Sequence, residues 1–330
     1  MRHTRLTETL SVGEIGLGCS SMSYGYGPAR TERDDEESAR VLARAVELGV
    51  TMFDTADVYG PHTNELLLGA ALAPFRAETT IATKVGLVLR PDGVLERNGR
   101  PEYLREACEG SLRRLGVDAI GLYQLHRVDP AVPLAESWGA LAELAAEGKV
   151  RGLGISHATA EELERIHAIF PVTAVQYELS VWERRNLEEI LPWTRKNDVG
   201  FLACCPIGRG YLSGRVARDE LVAGDSRRRD PRFEADAMTR NQRIVDGLHR
   251  VAARHGATPA QVAIAWITTH GDNVVPIPGT RRVRWLEENV GAVGLRLTAE
   301  DLRDIDTLPV ATGEKRWDEH RESAAESVSK

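Results

Sequence analysis

The chain has 330 residues, 42% of them hydrophobic and 28% charged, with 42 Lys and Arg against 49 Asp and Glu for a formal charge of −7. That balance argues against binding to nucleic acid or to an anionic membrane, since both need a concentrated basic face. The first 14 residues lack the apolar core of a signal peptide, and the best uncharged run, residues 199–208, falls far short of the ~20 apolar residues that span a bilayer. Cys19, Cys108, Cys204 and Cys205 form no CxxC pair and no zinc spacing with His, so a reduced, cytoplasmic, metal-free protein is expected.

In chain order, short apolar runs alternate with segments of helical period. Residues 14–19 predict a first strand, followed by a glycine-bearing loop that contains Tyr24 and Tyr26. Residues 51–54 predict the second strand and residues 80–84 the third. Tyr103, Leu104, Ala107, Cys108, Leu112 and Leu115 then recur at spacings of three and four, a helical stripe. Residues 120–125 predict a fourth strand, and Pro133 opens a helix with Leu134, Trp138, Leu141 and Ala145 on one face. Residues 150–156, 174–178, 200–204 and 274–277 complete eight predicted strands.

Eight strands separated by helices fit parallel β/α units, arranged as an open doubly wound sheet or as a closed (β/α)8 TIM barrel. The open sheet should carry GxGxxG after its first strand, but Ser21 holds the third glycine's place and no GxxxxGK is present. A single barrel domain over residues 1–310 is therefore expected, with residues 311–330 a charged tail or a flap carrying Trp317. Residues 211–238 are polar and include Arg227, Arg228, Arg229 and Arg232; a solvated surface loop is expected there, with a lid as the alternative.

In a parallel barrel the reactive groups collect where strands end. Strand two ends in Asp54, with Asp57 and Tyr59 just beyond; strand three ends in Lys84 and His126 follows strand four. Ser156 and His157 end strand five and Gln176 lies in strand six. A tyrosine phenol of pKa about 10 is a weak acid at neutral pH, and an adjacent Lys84 ammonium is expected to lower that value. Asp54 would hold the lysine charged, and His126 would bind the oxygen that Tyr59 protonates. This is acid–base machinery for a carbonyl, with no convincing nucleophile in it. Singly, Lys84 with Asp54 is equally a structural ion pair, His126 a buried histidine and Tyr59 a turn anchor. The four together on three successive strand ends carry the reading.

The segments FDTADVYG (53–60), ATKVG (82–86), YQLH (123–126), GKVRGLGIS (148–156), PIPGT (276–280) and LEEN (286–289) resemble the aldo-keto reductase family, in order and register from about residue 5 to 308. The loop openings at residues 18–25 and 208–210 look like its bacterial-type branch. The resemblance implies a (β/α)8 barrel that binds NADP(H) without a Rossmann fold. It further implies Tyr59 as general acid assisted by Lys84 and Asp54, His126 orienting a small-molecule carbonyl substrate, and Ser156 and Gln176 on the nicotinamide carboxamide. Two departures stand out: His157 replaces the usual Asn, and Cys204 of Ala203-Cys204-Cys205-Pro206-Ile207 replaces the aromatic ring that stacks under the nicotinamide.

The phosphates need their own partners. Gly208, Arg209 and Gly210, after Pro206 and Ile207, allow close backbone approach, with Arg209 placed for a pyrophosphate. Gly279 and Thr280 lead into a helix starting near Arg282, whose free N–H groups suit an anion; Arg281 and Arg282 are candidates for a 2′-phosphate. Glu288 and Asn289 match family positions near the adenine. Tyr24, Tyr26, Trp182 and Trp317 are candidate pocket walls, and equally packing aromatics. Two rival readings stand beside a general carbonyl reductase: a pathway-specific reductase of a keto-sugar or natural-product intermediate, and a non-catalytic NADPH-binding sensor. Cys204 favours the sensor; the complete set of Asp54, Tyr59, Lys84 and His126 opposes it.

Overall fold

Each predicted strand forms. The computed structural model describes residues 3–6, 10–23, 33–91 and 94–313. Tyr24, Tyr26, Trp317 and most of the expected tail lie outside them. The strands are β1 (Leu17–Gly18), β2 (Met52–Asp54), β3 (Thr80–Val85), β4 (Leu122–Leu125), β5 (Leu153–Ser156), β6 (Ala174–Glu178), β7 (Gly200–Cys204) and β8 (Val274–Pro276). Each pairs in parallel with its neighbour in sequence. The seam between first and last closes through Gly16 N to Pro276 O at 3.0 Å and Gly18 N to Pro278 O at 3.1 Å. Glycine is required at this seam, because a Cβ on Gly16 or Gly18 would come within 2.9 Å of Ile277.

Alternation along the strands sorts side chains into two cores. Met52, Ala82, Leu122, Ala174, Leu202 and Val275 fill the barrel interior together with Leu6 and Val12. Phe53, Tyr123, Leu153, Ile155, Val175 and Phe201 face outward onto the helices. Two residues further along the inward rows, the apolar layer gives way to Asp54, Lys84, Gln124, Gln176 and Cys204. That change from apolar to polar, one layer up, is what makes a site at the C-terminal mouth. Helices close the outer shell with sequence-encoded ends: Pro101–Leu115 carries Pro in its first turn and a left-handed Gly116 after it. No helix among the described residues is long and apolar enough to cross a membrane.

Two hairpins escape the sequence reading. His3–Arg5 pairs with Ser11–Gly13 in antiparallel, and buried Leu6 plugs the closed end of the barrel. Leu87–Leu89 pairs with Leu95–Arg97 beside the mouth after β3.

The 211–238 segment is only partly the solvated loop expected of its charge: residues 217–220 and 222–224 are exposed, while others turn inward. It forms short 3-10 turns at Ser226–Arg229 and Pro231–Phe233, and Leu221, Asp225, Asp230, Arg232 and Phe233 are buried. Two of its arginines are ion-paired, Arg227 with Asp225 at 2.7 Å and Arg232 with Glu178 and Glu183 at 2.6 and 2.7 Å, while Arg228 and Arg229 are exposed. The start of the tail docks on this layer, with Ala311 N to Trp182 O at 3.0 Å and Thr312 N to Asn241 Oδ1 at 2.7 Å.

Candidate active site

At the centre of the polar layer Lys84 Nζ donates to Asp54 Oδ2 at 2.6 Å and to the Thr55 carbonyl at 2.9 Å, and lies 3.5 Å from Tyr59 Oη. Lys84 is 1% exposed. Burial alone would pull its pKa down, yet Asp54 and Tyr59 together hold it above the ordinary value, so the ammonium persists. Asp54 Oδ1 accepts from Gln176 Nε2 at 2.8 Å and Gln124 Nε2 at 3.3 Å, which fixes the carboxylate from its other side. Gln124 was not anticipated; its signal was a polar residue at an inward position of an apolar strand. Gln176, expected on a nicotinamide amide, is anchored by its N–H to Asp54.

Tyr59 sits on a loop pinned at several points. Asn64 is fully buried; its Nδ2 donates to Cys19 O at 3.0 Å and Ser23 Oγ at 2.9 Å, and its Oδ1 accepts from Thr55 Oγ1 at 2.6 Å. His62 holds a left-handed φ of 66° to begin the next helix. Asp57 N donates to Lys84 O at 3.2 Å, tying the loop to β3. The Asp57 side chain is itself buried: one carboxyl oxygen meets Tyr103 Oη at 3.4 Å, while Oδ1 has no hydrogen-bond partner. Burial, reinforced by the nearby Glu65 charge, raises its pKa to about 8.

That shift has a definite sign for stability. Below the ordinary aspartate pKa both folded and unfolded chains hold the proton. As pH rises towards 8 the unfolded chain ionises while the folded one does not, so stability falls by at most about 1.4 kcal/mol per pH unit. Asp57→Asn should flatten this decline. Thermal unfolding at pH 5 and pH 8 measures it, and equal losses in both proteins would count against a protonated Asp57.

His126 is buried, its ring edge-on to Tyr59 with centroids 6.0 Å apart. Burial, then the charges of Lys84 and Arg127, push its pKa well below the usual value, so the imidazole is neutral. Tyr59 departs from the sequence expectation. Burial drives its pKa up to about 12, and Lys84 recovers only part of the rise. The phenol therefore keeps its proton at neutral pH, and the ammonium acts on the phenolate that forms when the proton leaves.

Beside this cluster, Ser156 Oγ is buried without a partner at the end of β5, a polar atom suited to an incoming amide. His157, with φ of 56°, packs edge-on against Tyr177. Cys204 is half-buried, and contact with Cys205, then burial, raises its thiol pKa well above the ordinary value. Pro206 is buried and Ile207 half-buried. Gly208 and Gly210 take φ of 55° and 95°, and a Cβ on Gly208 would strike Trp182 at 2.6 Å. Trp182 accordingly is a packing residue, 1% exposed and stacked on Tyr211 with centroids 5.3 Å apart. Arg209 pairs with buried Asp230 at 2.9 Å. Gly279 is exposed and Thr280 buried, ahead of the helix Val283–Gly291. There Arg282 faces Asp34 at 3.6 Å, Glu288 takes both Arg215 amines at 2.9 and 3.0 Å, and Asn289 is buried.

The Aldo/keto reductase family model matches residues 14–309. The chain belongs to this family. Probable aldo-keto reductase 1 from Glycine max is 40% identical over 306 residues, covering 92% of this chain and 88% of that protein. Among solved structures, the glycerol dehydrogenase AKR11B4 from Gluconobacter oxydans superposes with a TM-score of 0.82 at 29% identity, covering 92% of this chain and 94% of that one. Aldo-keto reductase AKR11C1 from Bacillus halodurans, in its holo form, gives 0.77 at 27%, with 96% and 99% covered. As an aldo/keto reductase the chain is a nicotinamide-dependent oxidoreductase of small-molecule carbonyl compounds. The eight parallel strands are that family's barrel, and the Asp54, Tyr59, Lys84 and His126 cluster occupies its mouth.

Proposed function

We propose that this aldo/keto reductase reduces an aldehyde or ketone with NADP(H), with Tyr59 delivering the proton to the carbonyl oxygen. The observation that carries the reading is the Lys84 ammonium, bonded to Asp54 at 2.6 Å and set 3.5 Å from Tyr59 Oη in a buried layer. When bound, the dihydronicotinamide supplies hydride. The chain's own residues do the rest. Neutral His126 and Tyr59 flank the position of the carbonyl oxygen and orient it. As Tyr59 gives up its proton, negative charge grows on Oη beside Lys84, where a low-dielectric surrounding strengthens the attraction. Asp54, held by Gln124 and Gln176, keeps the ammonium in place through the transfer.

The partnerless Ser156 Oγ fits the amide end of the cofactor, and the left-handed backbone at residues 208–210 supports close approach of a phosphate. Arg281 is partly buried, and burial, then its neighbour Arg282, lowers its pKa. Two crowded guanidiniums at a helix start favour the more anionic NADP. Arg281→Ala should lower the ratio of kcat/KM with NADPH to that with NADH by about 10–100-fold, the worth of one or two charge-assisted hydrogen bonds. An unchanged ratio would remove Arg281 from cofactor choice. The function itself is tested by NADPH oxidation against aldehydes, ketones and keto-sugars; tight NADPH binding with no turnover on any of them would favour a sensing role.

A further inference from the structure

Several buried or half-buried arginines are matched to acids: Arg232 to Glu178 and Glu183, Arg209 to Asp230, Arg227 to Asp225, and Arg114 to Glu65. Arg127 is not. It follows His126 directly, is partly buried, and donates from Nη1 to the His126 carbonyl at 2.7 Å. Among the described residues no carboxylate lies within ion-pair distance of it. It sits beside the mouth: it adjoins His126, whose ring meets Tyr59 edge-on at 6.0 Å, and Cys204, Tyr59 and Tyr177 act on its charge. Arg97 adds a like charge, and its Nη1 donates to Val128 O at 3.1 Å. Asp54, the one acid in the polar layer below, is already taken up by Lys84, Gln124 and Gln176.

A guanidinium taken partly out of water without a counter-charge is costly, and an anion arriving there would relieve the cost. Burial lowers its pKa to about 10 even though Cys204 and Tyr59 pull the other way, in keeping with that deficit. One N–H group is used on His126 O; the planar fork of the others matches a carboxylate or phosphate in two-point contact.

We infer that Arg127 is a specificity residue that docks an oxyanion group carried by the substrate, so that this site prefers carbonyl compounds bearing a carboxylate or phosphate a few bonds from the carbonyl. The inference rests on the carbonyl-reductase reading of the same site. It makes Arg127 a substrate-binding residue, distinct from the proton donor.

The test compares matched pairs with NADPH: ω-oxo carboxylic acids of four to six carbons against their methyl esters, and glyceraldehyde 3-phosphate against glyceraldehyde. Wild-type protein should favour the anionic member of at least one pair by tenfold or more in kcat/KM, mainly through KM, and the favoured pair identifies carboxylate or phosphate. Arg127→Gln should bring that ratio close to one, and Arg127→Lys should restore part of it. A ratio near one in wild type, or one that survives in Arg127→Gln, overturns the inference. A folding check by thermal unfolding accompanies each variant. If no carbonyl compound is reduced, the reductase reading fails separately. Binding of succinate and of inorganic phosphate to NADP-loaded protein, measured by calorimetry, then decides the anion site: binding that disappears in Arg127→Gln supports it, and no binding overturns it.

Discussion

Tyr59→Phe should lower kcat/KM for carbonyl reduction by about 10²–10⁴-fold, the usual worth of a positioned general acid. The change is narrow. The phenyl ring keeps its edge-on contact with His126 and its place near Lys84 Nζ, 5.2 Å from the ring centroid. Lys84 keeps its bonds to Asp54 Oδ2 and Thr55 O, so no buried charge is orphaned. Stability should therefore change little, and NADPH affinity, read by fluorescence titration, should stay within a few-fold. Single-turnover rates at saturating NADPH isolate the chemical step. Activity within threefold of wild type would mean that another group or a water donates the proton, and the mechanism proposed for this site would fall.

The largest loss of stability is expected from Arg232→Met. Arg232 is 2% exposed, and its two amines are shared between Glu178, at the end of β6, and Glu183. Removing one partner of a buried ion pair costs about 3–5 kcal/mol, and here two carboxylates lose their cation at once. Set against a total stability of about 5–15 kcal/mol, that is a large fraction. Burial, then the Glu178 charge, already pushes the Glu183 pKa upward. Without Arg232 the Glu183 pKa would rise further, so the defect should be deepest at neutral pH and shrink as pH falls and the carboxylate takes up a proton. Urea denaturation at pH 5 and pH 8 reads this directly. Adding Glu178→Gln and Glu183→Gln to Arg232→Met should recover much of the loss. If Arg232→Met alone unfolds at the wild-type midpoint, the three groups are not a structural unit.

What the sequence made legible follows from what produces a local pattern. The strands were readable because each is a short apolar run in a barrel buried on both faces, and the site was readable because Asp54, Lys84 and His126 end or follow such runs. The inward turn of residues 225–233 was missed for an equally physical reason. Charge predicts solvation only when the partner is water, and Arg232's partners are some fifty positions away on another element. The pKa of Tyr59 was misjudged in the same way: the ammonium was visible in the sequence, while the depth of burial that outweighs it is a property of the assembled mouth. The pairing of Arg209 with Asp230, some twenty positions away, likewise leaves no local pattern. Gln124 and Arg127 flank His126 in the chain and left a signal, namely polar residues at the end of an otherwise apolar strand. The short hairpins left almost none, being three residues per strand.

The seam at Gly16, Gly18, Pro276 and Pro278 sets the order in which this molecule is made. Seven of the eight strand contacts join neighbours in sequence and are available as soon as the second partner has been synthesised. The eighth joins β1 to β8, more than 250 residues later, so the ring stays open, with β1 as a bare edge, until β8 has been made. The inner plug of Met52, Leu122, Leu202 and Val275 then encloses only at the last step. During synthesis the nascent chain is thus an unclosed sheet with an exposed apolar lining, the stage at which it most needs protection from pairing with its own copies.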